Sequence, residues 1–249
     1  MTLRILRPEV FARRPDAVLF DTDNTLYAYD PAHGAAMAAA RSKAVRMFGI
    51  EPPKFDEVFA AARDAVKARL GGTASSHSRL LYFQELLEQI GLGSQVLLAL
   101  DLEQTYWRSF LTNARLFPGV REFVDDLRIA AVPTAVVTDL TSQIQFRKII
   151  HFGLDKHFDC VVTSEEVGCD KPDPRPFERA IAKMRPRGDC IWMIGDHSVN
   201  DIRGARESLR AVTLQKFHEG VHIGKGADAA DLVFDDYAAL RALFRERFD

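Results

Sequence analysis

The chain has 249 residues, 47% of them hydrophobic and 27% charged, with a formal net charge of -2; it is long enough to bury a sizeable core as one large domain or a domain with a smaller companion, and disorder is not expected. The near-neutral balance leaves no electrostatic footprint for a nucleic acid polymer or an anionic membrane, so a small soluble partner is expected. Three cysteines (Cys160, Cys169 and Cys190) without C-x-x-C spacing argue against a disulfide framework or a four-cysteine zinc site and fit a reducing, cytoplasmic setting.

At the N-terminus, Arg4, Arg7, Glu9, Arg13 and Arg14 are scattered among apolar residues, leaving no continuous core for a signal peptide. Nowhere do about 18 apolar residues run together, so no membrane span is expected. Residues 17–20 read as the first buried strand. A strand-free block follows, with helical stretches over about 32–48, 55–70, 79–90 and 95–111. The joints are Gly49-Ile50-Glu51-Pro52-Pro53, Gly71-Gly72-Thr73 and Gly91-Leu92-Gly93. Beyond Pro118-Gly119 strands and helices alternate. Strands are expected over 134–137, 159–163, 190–194, 211–214 and 232–234, and helices over 120–130, 142–152 and 174–184, the last opening on a proline. Such alternation implies right-handed crossovers and a parallel sheet. An α/β core of residues 1–26 and 114–249, carrying an all-helical cap of residues 27–113, is therefore expected. Residues 27–31 and 113–118 would be the hinges. No internal repeat or low-complexity tract is found.

Asp21 follows the first apolar run, at the carboxyl end of its strand, where open α/β folds place their ligands. Asp23 lies about 6.6 Å further along an extended chain at ~3.3 Å per residue, so both side chains can address one substrate. Two such aspartates repel one another and need a cation or a shared proton. Both devices suit phosphate transfer, but a solvated turn supported by Asn24 and Thr25 explains this short motif as readily. Three further segments change the balance. Thr138 ends another strand, where its hydroxyl and the next backbone N–H can bind a phosphate oxygen, although it equally suits a helix N-cap. Lys171-Pro172 sits in a proline-stiffened loop as a phosphate anchor, against the commoner fate of an exposed lysine. Asp196 follows the apolar run 190–194, and oxygen ligands of this kind suit magnesium. Gly204-Ala205 would let the following helix pack closely.

Taken in order, Asp21-x-Asp23-x-Thr25, Thr138, Lys171-Pro172 and Gly195-Asp196-x-x-x-Asn200-Asp201 resemble the four motifs of the haloacid dehalogenase superfamily across essentially the whole chain, and the helical insertion resembles its members with a C1 cap. The resemblance implies a Rossmann-like parallel sheet with helices on both faces. It implies that Asp21 attacks phosphorus to give an aspartyl-phosphate, and that Asp23 protonates the leaving group and then activates water. It further implies that Mg2+ is held by Asp21, Asp23 through its backbone carbonyl, and Asp196. Thr138, the backbone N–H of Asp139, and Lys171 would bind the phosphoryl group, with Thr25, Asn200 and Asp201 behind them. Asp139 departs from the family's usual Asn, and its side chain is expected to point away.

Other signals carry less. His218-Glu219-Gly220-Val221-His222 matches the zinc protease pattern, but Gly220 and the β-branched neighbours favour a loop. Gly220 to Lys225 is one residue short of a Walker A spacing. His33 resembles the hinge histidine of family phosphomutases, which contacts the acid/base aspartate, but reads first as a surface histidine near a helix start. His77 and Arg79, in the loop before a cap helix, are candidates for substrate selection. Tyr27 is a further candidate; with Tyr29 and Trp107 it would line the mouth of the site, although aromatics at helical spacing usually belong to the core.

The expected activity is therefore magnesium-dependent hydrolysis of a small phosphomonoester such as a sugar phosphate, nucleotide monophosphate or phosphoglycolate. A sugar phosphomutase is an alternative. A haloacid dehalogenase fits less well, because those members lack the second aspartate and need no metal. A non-catalytic binding module is disfavoured by the filled catalytic positions.

Overall fold

The computed structural model describes residues 2–248 and divides into two compact units, one of Tyr29–Ala114 and one of Met1–Ala28 with Arg115–Asp249. Met1 and Asp249, the outermost residues of the expected core, lie outside the described residues.

The inserted unit is built on α1 (Tyr29–Phe48), α2 (Pro52–Leu70), α3 (Arg79–Gln89) and α4 (Val96–Asn113), with a short 3-10 turn at Ala74–His77. Along α1 the buried residues are Ala32, Ala36, Ala40 and Ala44, four apart, and so share one face. A stripe of methyl groups lets α4 lie close enough for the Ser109 hydroxyl to donate to the Ala35 carbonyl at 3.1 Å. From α4, Leu102, Tyr106 and Phe110 are buried with the same spacing. An aromatic core fills the unit, with ring centroids 5.4 Å apart for Phe59 and Phe83 and 5.0 Å for Tyr106 and Trp107.

The other unit is built on one sheet. Its strands are β1 (Leu3–Ile5), β2 (Ala17–Phe20), β3 (Thr134–Thr138), β4 (Cys160–Thr163), β5 (Ile191–Gly195), β6 (Val212–Lys216) and β7 (Leu232–Phe234). Among the described residues they form a seven-stranded sheet in the order β1-β7-β6-β5-β2-β3-β4. All neighbours are parallel except β1 with β7. The helices are α5 (Val120–Ile129), α6 (Ser142–His151), α7 (Ser164–Val167), α8 (Pro174–Met184), α9 (Gly204–Leu209) and α10 (Tyr237–Phe248).

Every residue of β2 is 0% exposed, because both faces of a parallel sheet are covered and the strand must be apolar throughout. Successive side chains point to opposite faces. Ala17 and Leu19 pack in a cluster with Phe177 and Ala180 of α8 and Ala205 of α9. On the other face the Phe20 ring meets Phe123 of α5 edge-on at 6.2 Å, and Phe123 meets Phe244 of α10 at 6.1 Å. Three of these strands and helices were not anticipated from sequence: β1, too short to show a period, the four-residue α7, and α10, which buries Tyr237, Leu240 and Phe244.

Strand order positions the site. From β2 the chain moves one way to β3, and from β5 it moves the other way to β6, so the carboxyl ends of β2 and β5 flank the crevice in which α/β sheets bind ligands.

Lys216, at the end of β6, is 1% exposed; its ammonium donates to the Phe217 carbonyl at 2.7 Å and lies 4.1 Å from the Phe117 ring centroid. Burial pushes its pKa down from the ordinary 10.5 to about 8, against a smaller pull from Asp235 and Asp236. The unfolded chain holds this proton over a range where the folded chain has released it, so stability contributed here rises with pH between about 8 and 10.5. Lys216→Met is therefore expected to raise the unfolding free energy by about 1 kcal/mol at about pH 7 in urea titrations, the gain fading at alkaline pH. A loss at neutral pH would show that the ammonium's contacts outweigh its desolvation.

Candidate active site

Asp21 leaves the end of β2 with its backbone N–H donating to the Ile194 carbonyl of β5 at 2.9 Å. The chain then turns sharply, with Asn24 at φ 60°, a left-handed conformation that Asn tolerates better than most residues. This turn brings the Thr25 hydroxyl back to donate to Asp21 Oδ2 at 3.1 Å, while Tyr237 of α10 donates to the Thr25 carbonyl at 2.9 Å.

Lys171 lies at the centre of the site. It is 5% exposed, not a surface lysine, and its ammonium donates to Asp21 Oδ1 at 2.7 Å, Asp201 Oδ1 at 2.6 Å and the Val137 carbonyl at 2.9 Å. Asp139 directly follows β3. Its carboxylate turns into the lysine's own loop and accepts the Lys171 backbone N–H at 2.9 Å. Burial pushes its pKa up to about 6, opposed by Lys171. The same loop lies against α9: a Cβ on Gly204 would sit 3.0 Å from Pro172 Cβ and 3.1 Å from the Phe177 ring. A larger residue there would force Pro172 and Phe177 to give by a few tenths of an ångström.

Asp196 follows β5, and Asp201 lies in a wide π-helical turn, Ser198–Arg203. His197 opens that turn. Its Nδ1 accepts the N–H groups of Val199 and Asn200 at 3.3 and 3.0 Å, and its backbone N–H donates to Asp201 Oδ2 at 3.0 Å. Asn200 thus takes part through its backbone. A side chain on Gly195 would collide with that of Asp201, so the glycine leaves room for the inward carboxylate.

Ligand atoms of Asp21, Asp196 and Asp201 lie within 4.8 Å of one another. Burial pushes the carboxyls of Asp21 and Asp196 above the usual range, and the neighbouring carboxylates add to this while Lys171 opposes it. Among the described residues no protein donor reaches the Asp196 carboxylate, and one ammonium serves the other two. A crowd of hard oxygen donors with unbalanced negative charge fits the chemistry of a magnesium ion.

Asp23 is not one of these three. Its carboxylate accepts Lys148 Nζ at 2.7 and 3.0 Å, the Tyr27 hydroxyl, and the Thr22 hydroxyl at 3.3 Å. Beside it, the Thr138 and Thr22 hydroxyls are 2.8 Å apart, and Gln145 Nε2 donates to Thr138 Oγ1 at 2.8 Å. Lys148 and Gln145, both on α6, escaped the sequence reading. Ile144, Gln145, Lys148 and Ile149 form one buried stripe of that helix. A lysine and a glutamine interrupting an apolar stripe, in the helix that follows a candidate phosphate-binding strand end, are the signal that would have found them.

A sequence profile of the haloacid dehalogenase-like hydrolases matches residues 15–208. The chain belongs to this family. It is 39% identical over 190 residues to the ribulose-1,5-bisphosphate 5-phosphatase of Halopiger xanaduensis, a match covering 76% of this chain and 80% of that protein. The glyceraldehyde 3-phosphate phosphatase of Methanothermobacter thermautotrophicus is 29% identical, over 91% of this chain and 98% of its own length. A 2-haloacid dehalogenase from Pseudomonas syringae superposes with a TM-score of 0.71 over 94% of this chain and 99% of its own, at 21% identity, a likeness of fold.

The remaining candidates in this hydrolase divide between the neighbourhood of Asp23 and the helical unit. Tyr27 is fully buried, with its ring 5.0 Å from that of Phe152 and its hydroxyl on Asp23. Tyr29, His33, His77 and Arg79 belong to the helical unit. There His33 is half-buried rather than on the surface, and its Nδ1 lies 2.7 Å from the Tyr106 hydroxyl. Burial and Arg79 push its pKa down to about 4. The His77 carbonyl accepts from Arg79 at 2.7 Å. The 218–222 segment is irregular and offers no helical face for zinc. Gln215 ties it down, donating to the Asp196 and His222 carbonyls at 2.7 and 2.8 Å, and His218 Nε2 lies 3.1 Å from Asn24 Oδ1. No helix among the described residues is long and apolar enough to cross a membrane.

Proposed function

We propose that this hydrolase is a magnesium-dependent phosphatase acting on a small phosphomonoester of the sugar phosphate, nucleotide monophosphate or phosphoglycolate kind. The observation that carries the reading is the convergence of Asp21, Asp196 and Asp201 at one sheet edge, with Lys171 bonded to Asp21 and Asp201. The phosphatase names of its relatives support the substrate class.

In this reading Asp21 attacks phosphorus and the ester P–O bond breaks. The departing oxygen takes a proton from Asp23. Asp23 then draws a proton from the water that attacks the aspartyl-phosphate, which releases phosphate and restores Asp21. Lys171, the Thr138 hydroxyl and the Asp139 backbone N–H hold the phosphoryl oxygens, and Thr25 and Asp201 orient Asp21 and Lys171. Magnesium, held by Asp21, the Asp23 carbonyl and Asp196, supplies the charge that lets an anionic nucleophile approach an anionic ester. The helical unit acts as the cap that selects the substrate. Asp23 argues against dehalogenation, and nothing in the surroundings of His33 favours a mutase.

Phosphate release from an aryl phosphate is the test. Release is expected only with magnesium, and Asp21→Asn is expected to lower it about 1,000-fold or more. Equal rates for wild type and variant, or none from wild type across a broad ester panel, would overturn the reading.

A further inference from the structure

The helical unit contains a cation with no anion to balance it. Arg79, half-buried at the start of α3, donates to the His77 carbonyl at 2.7 Å and to the Tyr29 hydroxyl. Among the described residues no carboxylate pairs with it and its Nε meets no acceptor. Three rings enclose it instead, their centroids 5.6 Å (Tyr82), 5.5 Å (Tyr106) and 5.4 Å (Trp107) from the guanidinium carbon.

Hydroxyls converge on the same place. Those of Tyr29 and Tyr106 lie 3.4 Å apart, and the Tyr106 hydroxyl meets His33 Nδ1 at 2.7 Å. The Tyr29 ring stacks on the imidazole at 5.2 Å. Aromatic faces stabilise a guanidinium but do not neutralise it, and stripping an ion of water without a counter-ion is costly. Arginine held flat among rings with N–H groups to spare is suited to bidentate recognition of an oxyanion.

We propose that the helical unit holds an oxyanion site of its own, centred on the Arg79 guanidinium and bordered by the Tyr29 and Tyr106 hydroxyls. Its ligand is a phosphate or carboxylate group. Such a group has two sources in a phosphatase, the inorganic phosphate that is released and a second anionic group on a substrate. The site stands on the geometry of this unit alone, so it survives if the proposed hydrolysis fails.

Binding is read without turnover, from the tryptophan emission of the full chain, to which Trp107 and Trp192 both contribute, titrated with inorganic phosphate, butyl phosphate and butanediol bisphosphate. A saturable change with at least one of these is expected. Arg79→Gln should weaken it at least ten-fold, while Arg79→Lys, which keeps the charge but loses the fork, should fall between. A response to inorganic phosphate assigns free phosphate; a response to the bisphosphate alone assigns a substrate with two anionic ends. Thermal unfolding of each variant checks that it is folded. No saturable change in wild type, or unaltered affinity in a folded Arg79→Gln, would overturn the proposal.

Discussion

Lys171→Met is expected to reduce phosphate release about 1,000-fold or more and to lower the unfolding free energy by about 3–5 kcal/mol in a magnesium-free buffer. The size of both effects comes from what the ammonium holds. It bonds Asp21, Asp201 and the Val137 carbonyl together, and methionine would fill the space while leaving buried carboxylates facing one another. Removing one partner of a buried ionic network costs more than the network contributes, because the remaining charges lose both their partner and their water. Asp21 and Asp196 already have carboxyls raised above the ordinary range, so the folded state takes up protons more readily than the unfolded chain. Without Lys171 this difference grows. The variant's stability should then fall as pH rises from about 4 to 8 and recover in part when magnesium is added, since a ligand that binds the folded state stabilises it by mass action. Chemical unfolding across pH, with and without the metal, measures this. A flat profile and wild-type stability would mean that the carboxylates do not depend on the lysine.

Lys148→Met is expected to act on turnover rather than on binding, with kcat down about 10- to 100-fold and KM for an aryl phosphate nearly unchanged. The reason is geometric. Lys148 is 1% exposed and grips both oxygens of Asp23, whose side chain is 33% exposed. Losing it leaves Asp23 within reach of solvent, so the stability cost should be only about 1–2 kcal/mol. What is lost is the direction in which the carboxylate points when a proton has to move. Lys148→Arg keeps a charged donor at the end of a different stem and should recover part of the rate. An unchanged kcat in Lys148→Met would remove the residue from the working site.

How much of this could be read beforehand depends on how each residue announces itself. Asp21 and Asp196 stand at strand ends because central parallel strands, covered on both faces, must be unbroken apolar runs, and a carboxylate closing such a run is conspicuous. Thr138 and Lys171 gained meaning from occurring in order with them. Lys148 and Gln145 were hidden because polar residues in a helix read as solvent-facing until the structure shows which stripe is covered. The capping role of His197 depends on a turn whose width has no sequence mark. β1, three residues long, joins the sheet only through its antiparallel pairing with β7, a contact more than 200 residues away. The surroundings of Arg79 were equally out of reach, since Tyr29, Tyr82 and Tyr106 converge from three helices.

The wide turn at Ser198–Arg203 has a consequence for sequence change. A π-helical turn holds one residue more than the α-helical ladder needs, and that surplus points Asp201 inward while its neighbours stay in register with α9. Deleting one residue there would make the helix more regular and better bonded locally, but it would rotate Asp201 away from Lys171 and Asp21. The extra residue is thus tied to the presentation of Asp201, and its loss is closed to the segment as long as the charge balance at the sheet edge has to be kept.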